Sequence, residues 1–69
     1  MVIMGVPAYR REILNQMPPI LRRVLTLREI QGLSPDTIAE QLDCSRLDVK
    51  RLLFRSRREY RLLERKSGS

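Results

Sequence analysis

The sequence predicts an all-α fold, a small four-helix domain whose last two helices form a helix-turn-helix. Three observations lead there. Ser34-Pro35-Asp36 and Ser45 with Asp48 are helix-start signals only eleven residues apart. Pro18-Pro19 and Gly32 punctuate the chain between apolar runs. From Val49 onward, apolar residues recur at three- and four-residue steps over a long stretch. At 69 residues the chain makes one domain, residues 1–69, near the size where a single core barely holds a fold. With 42% hydrophobic but only 4% aromatic residues, that core must be mostly Leu, Ile and Val.

Met1–Val6 carries little that would order it, and residues 1–6 and 66–69 are expected to fray. Pro7 suits the first turn of a helix over about 8–16, with Ile13, Leu14 and Met17 on its apolar side and Tyr9 one turn earlier. The residue before a proline avoids helical geometry, so Met17 and Pro18 mark a break. A second helix follows over 19–31. Its apolar residues Ile20, Leu21, Val24, Leu25, Leu27 and Ile30 cover more than half the circumference, which places it centrally. Gly32 is the expected left-handed terminator, with Leu33 packing back.

Ser34 should cap the third helix, over 35–42, with Ile38, Ala39 and Leu42 facing inward. Asp43-Cys44 forms the turn, where Asp tolerates left-handed backbone and Cys44 is a small buried residue. The fourth helix spans about 46–65. Ser45 and Asp48 make its capping box. At about 100° per residue, Val49, Leu52, Leu53, Ser56, Tyr60 and Leu63 form one narrow stripe that packs on the rest of the chain. Tyr60 is expected at the core edge with its hydroxyl in water.

The opposite face of that helix holds Leu47, Lys50, Arg51, Phe54, Arg58 and Arg61. The net charge is +6, and its location matters more than its size. From Arg46 to the end there are nine basic residues against three acidic; before Arg46 there are five of each. The whole excess therefore lies on the last helix, which points to a polyanion partner. Basic groups suit phosphates and guanine edges, and an apolar tip suits a thymine methyl. This is the pattern of a helix that enters a DNA major groove, with Lys50 and Arg51 donating to purine acceptors and Phe54 touching a methyl. Arg55, Arg57, Arg58 and Arg61 then divide between phosphates and solvent.

Other classes are excluded or disfavoured. The chain has no histidine and one cysteine, Cys44, so a zinc site built from His and Cys and a His-based catalytic centre are both excluded. No enzyme, cofactor or metal is expected. A lone cysteine allows no internal disulfide and fits a reducing cytosol. No apolar run approaches the roughly 20 residues of a membrane span, and Met1–Gly5 is too short for a signal peptide. The expected location is the cytoplasm.

From Met17 to about Arg61 the chain resembles the C-terminal DNA-binding domain (domain 4) of bacterial sigma factors, and most closely the extracytoplasmic-function group. The residues that carry the likeness are M-P-P-I-L-R-R-V-L-T-L-R-E-I-Q-G-L-S-P-D-T-I-A-E-Q-L-D-C-S, followed by R-L-D-V-K-R-L-L-F-R-S-R-R. The resemblance implies a four-helix domain that reads the −35 element of a promoter in double-stranded DNA. It also implies docking on the flap-tip helix of the RNA polymerase β subunit. Position by position, Lys50, Arg51 and Phe54 match residues that face base edges. Arg46 and Arg55 match positions near bases or phosphates, and Thr37 matches a phosphate contact from the supporting helix. An apolar surface around Ile13, Leu14 and Leu21 would take the polymerase helix or an anti-sigma factor.

The chain departs from the family pattern at several positions. Leu47 and Asp48 replace the usual Gly-Thr, Arg51 a Ser, Leu52 an Arg, and Ser56 an Ala. No counterpart of domain 2 is present, so the expectation is either an excised domain or a free-standing protein that borrows the fold. Two functions follow: a sequence-specific DNA-binding module, or a sigma-like protein-interaction module with little DNA reading, which the changes at Leu47 and Leu52 favour. A dimeric response-regulator helix-turn-helix shares the helix pattern, but Pro18-Pro19 and L-F-R-S-R-R suit it less well.

Overall fold

A computed structural model describes residues 9–68. The expectations for Met1–Val6, Pro7, Ala8 and Ser69 lie outside them. Four α-helices run in the order α1 (Arg11–Leu14), α2 (Pro19–Leu25), α3 (Pro35–Leu42) and α4 (Arg46–Gly68). A π-helical segment, Thr26–Ile30, continues α2.

α1 is a single turn, shorter than the 8–16 expected. Arg10 before it is extended (φ −82°, ψ 127°), and its N–H donates to the Tyr60 hydroxyl at 2.9 Å. The Tyr9 ring meets Tyr60 edge-on, with centroids 5.0 Å apart and planes at 82°. Contacts with α4 thus hold Tyr9 and Arg10 out of the helix. Tyr60 is correspondingly buried, and its hydroxyl is bonded within the protein rather than to water, which corrects the expectation. Burial pushes the Tyr9 phenol pKa up, and the Glu29 carboxylate adds to the shift.

Pro18 is extended and Pro19 opens α2, as the break requires. The second helix differs from the continuous α-helix expected over 19–31. After Leu25 it widens, so that the Gln31 N–H donates to the Thr26 carbonyl five residues back at 3.0 Å. Two anchors coincide with this wide register. The Arg28 guanidinium donates to the Leu33 carbonyl at 3.0 Å, and Glu29 accepts from Arg57 of α4. Gly32 is left-handed at φ +76°, and the Leu33 N–H reaches back six residues to Leu27 at 3.0 Å, one residue wider than a Schellman contact.

The third helix starts and stops as expected. Ser34 Oγ accepts from the Thr37 N–H at 3.2 Å. At the other end Asp43 is left-handed (φ 56°). The Cys44 N–H donates to Ala39 at 3.0 Å and the Asp43 N–H to Glu40 at 3.3 Å, both bonds of a Schellman ending. α4 then begins on a complete capping box. Ser45 Oγ accepts from the Asp48 N–H at 3.0 Å, and Asp48 accepts from the Ser45 N–H at 3.4 Å. The helix runs 23 residues, three past the expected end.

Two apolar clusters make the core, and α4 joins them. Val49 and Leu53 pack with Val24, Leu27, Ile38 and Ala39. Tyr60 packs with Ile13, Met17, Leu21 and Leu25. Leu52 touches both clusters. Ser56 is fully buried on the ridge between Leu53 and Tyr60, and its hydroxyl donates to the Leu53 carbonyl at 2.9 Å. A small side chain is needed there, and a hydroxyl is acceptable only because its own helix satisfies it.

Three substitutions check this packing by urea unfolding. Ser45→Ala should lower stability by ~1 kcal/mol through loss of the cap. Tyr60→Phe should cost a similar ~1 kcal/mol, because the Arg10 N–H loses its acceptor. Ser56→Leu should cost ~1–3 kcal/mol by overpacking.

Candidate nucleic-acid interface

The capping box fixes where α4 begins, and its buried ridge fixes how the helix is rotated. With Val49, Leu53 and Ser56 held inward, the opposite side of the helix must face out. Lys50, Arg51, Phe54, Arg55 and Arg58 are all exposed. Phe54 shows 67% of its surface, a large apolar side chain left in water among cations. Lys50, Arg51, Phe54 and Arg55 together line one shallow concavity. Phe54 also heads a second one along the helix, with Arg57, Arg58, Arg61, Leu62 and Arg65.

The other two expected DNA-binding residues lie at the starts of α3 and α4. Thr37 sits half-buried in the first turn of α3, its hydroxyl 3.0 Å from Ser34 Oγ. Arg46 opens α4, and its Nε lies 3.5 Å from the Asp36 carboxylate at the start of α3. This ion pair links the first turns of α3 and α4. Both partners of this ion pair are largely exposed, so it steers Arg46 more than it stabilises the fold.

Other placements differ from expectation. Arg57 does not join the open cationic face: its guanidinium donates to Glu29, with Nε at 3.1 Å. Ile13 and Leu21 are buried and Leu14 is half-buried, so they are not an open partner surface. The reason is economy of apolar residues: one-turn α1 and the start of α2 must close the second cluster around Met17, Leu25 and Tyr60. The exposed large aliphatics on the second helix are Ile20 and Ile30 instead. Leu62 of α4 is 41% exposed, and spacing alone did not single it out, because it lies off the buried stripe. Among the described residues no cluster of three or more His, Cys, Asp or Glu could hold a metal. No helix there is long and apolar enough to cross a membrane.

α4 thus anchors on one face and presents Lys50, Arg51 and Phe54 on the other. Comparison with known proteins agrees. The family described as sigma-70, region 4, matches residues 11–59, which include Thr37, Arg46, Lys50, Arg51, Phe54, Arg55 and Arg58. An extracytoplasmic-function RNA polymerase sigma-E factor of Haemophilus influenzae is 41% identical over 44 residues. Those residues are 64% of this chain but only 23% of that protein, so the chain spans about a quarter of its relative's length. No solved structure matches. The match across most of the chain, on a fold that holds a helix-turn-helix, shows that this protein belongs to the sigma-70 region 4 family, DNA-binding modules of transcription initiation.

Proposed function

We propose that the chain is a single domain that reads a −35-type promoter element with α4 in the major groove, within an initiation complex docked on RNA polymerase in the bacterial cytoplasm. One observation carries this: Lys50, Arg51, Phe54 and Arg55 form a continuous open surface on a helix whose opposite side is locked in the core. In this reading Lys50 and Arg51 donate to purine acceptors and Phe54 covers a thymine methyl. Arg46, Arg55 and Arg58 meet phosphates or nearby bases, and Thr37 adds a phosphate contact from α3. Each bidentate base contact is worth about 1–3 kcal/mol of discrimination. A module with so few contacts binds weakly by itself, so tight occupancy needs the polymerase tether.

A second reading rests on the apolar residues the fold leaves open. Leu47 is exposed beside the basic face, and Ile20 and Ile30 are exposed on the second helix. In that reading the domain occupies the polymerase β flap, or is held by an anti-sigma factor, and regulates transcription with little DNA reading. A pull-down with the flap separates the two: flap binding without preference among duplexes favours the second.

The test of the first reading is a titration of the chain against a duplex selected from a randomised pool, beside a scrambled duplex. Arg51→Ala should erase about 1–3 kcal/mol of preference for the selected sequence. Arg58→Ala should weaken both duplexes equally and reduce the log–log salt slope by about 0.9. Equal losses on both duplexes for Arg51→Ala would refute the base-reading role.

A further inference from the structure

One cation of α4 is kept from the direction that its place in the sequence gives it. Arg57 lies seven residues after Lys50 and three after Phe54. At about 100° per residue it leaves the helix within about 20° of Lys50 and about 60° of Phe54, roughly 10 Å further along the axis than Lys50. The major groove is about 12 Å wide, so with Lys50 at the base edges Arg57 stands level with a phosphate wall. Its side chain turns to the second helix instead. Nε, at 3.1 Å, and Nη2 both donate to one carboxylate oxygen of Glu29 in the π segment. Among the described residues Arg58 and Arg61, which line the same concavity, form no ion pair.

Stability alone does not account for this contact. The Arg57 side chain is 46% exposed, and an ion pair so open to water adds little to the fold. What the contact changes is charge. The carboxylate cancels the charge of the guanidinium and occupies donors that a phosphate oxygen would otherwise receive. A phosphate contact that is not made releases no counterion, and so adds nothing to DNA affinity. The two partners are also unequal. Glu29 is only 19% exposed, so the acid is the fixed half of the pair and the arginine the movable arm. Were a phosphate to draw Arg57 away, that sheltered carboxylate would be left charged without its partner, which disfavours the exchange. The pair therefore stays closed beside a duplex.

We propose that Arg57 is a latent phosphate-binding residue and that Glu29 keeps it out of use, limiting the affinity of the domain for any duplex. The restraint acts equally on all sequences, because phosphate contacts carry no sequence information. A domain restrained in this way stays off DNA at large and depends the more on its polymerase tether. Where the duplex lies rests on the DNA reading proposed above; the pairing of Arg57 with Glu29 does not.

The test compares four full chains: the natural one, Glu29→Gln, Glu29→Gln/Arg57→Gln, and Glu12→Gln as a control. Glu12, in the first turn of α1, holds Arg10 through the same two nitrogens, Nε at 3.0 Å and Nη2 at 2.8 Å. Its replacement changes the net charge by the same unit, away from α4. Each chain is titrated by fluorescence anisotropy against the selected and the scrambled duplex over a series of salt concentrations. Glu29→Gln should steepen the log–log salt slope by about 0.9 on both duplexes and leave the ratio of the two affinities unchanged. The double variant should return to the natural slope, and Glu12→Gln should not depart from it. An unchanged slope in Glu29→Gln would overturn the proposal. So would equal steepening by Glu12→Gln, which would mean bulk charge alone, or a double variant that keeps the steeper slope. Should Glu29→Gln lose its helical circular dichroism, Arg57→Gln decides instead: an unchanged slope supports the restraint, and a loss of about 0.9 refutes it, since Arg57 would already be on a phosphate. The slope on the scrambled duplex involves no base reading. A natural chain with no preference for the selected duplex would therefore defeat the base-reading role and leave the slope comparison standing.

Discussion

The burial of one ridge of α4 against α2 and its neighbours is the constraint from which the rest of the molecule follows. Val49 and Ser56 have no exposed surface, and Leu53 and Tyr60 almost none. Four residues buried along three turns leave the helix no freedom to rotate about its axis. Every outward-facing residue then takes its direction from this ridge, not from contacts of its own. Lys50 and Arg51 need no structural partner to be presented, which keeps their donors open for a ligand. Leu52, shared by both apolar clusters, makes the two halves of the core one unit through α4.

The remaining elements act as supports for that helix. The Tyr9–Tyr60 ring contact and the Arg10-to-Tyr60 hydrogen bond tie the start of the described chain to the C-terminal half of α4. Glu29 of the π segment holds Arg57. At the N-terminal end, the Schellman ending at Asp43 and the Ser45 capping box set the angle between α3 and α4 with only Asp43, Cys44 and Ser45 between them. A groove-reading helix needs such fixed ends, because base edges can be reached only when the backbone is already in position.

The features legible from sequence are those governed by near neighbours. Ser34 and Ser45 cap, Asp43 turns left-handed, and the Val49–Tyr60 stripe points inward, all through interactions spanning three to five residues. The one-sided charge was likewise countable. Contacts between distant residues were not. The hydrogen bond that shortens α1 spans 50 positions, and the ion pair that removes Arg57 from the open face spans 28. No local pattern distinguishes Arg57 from Arg58, yet Glu29 pairs with Arg57 and not with Arg58. The resemblance assigned Ile13 and Leu21 to a partner, and it cannot say how little apolar material a one-turn helix leaves for the core. The π segment coincides with the contacts of Arg28 with Leu33 and Glu29 with Arg57, which no local pattern announces.

Charge, caps and ridge converge on a helix that offers a cationic, aromatic-tipped face to a duplex while its aliphatic side stays sealed. Amide chemical-shift mapping during titration with a selected promoter duplex examines this directly, since it reports on every backbone N–H at once. Perturbations concentrated on Arg46–Arg58 and the first turn of α3, with the amides of Ile13 and Met17 unmoved, are the predicted result. Shifts centred on α1 and α2, or identical patterns with selected and scrambled duplexes, would contradict it.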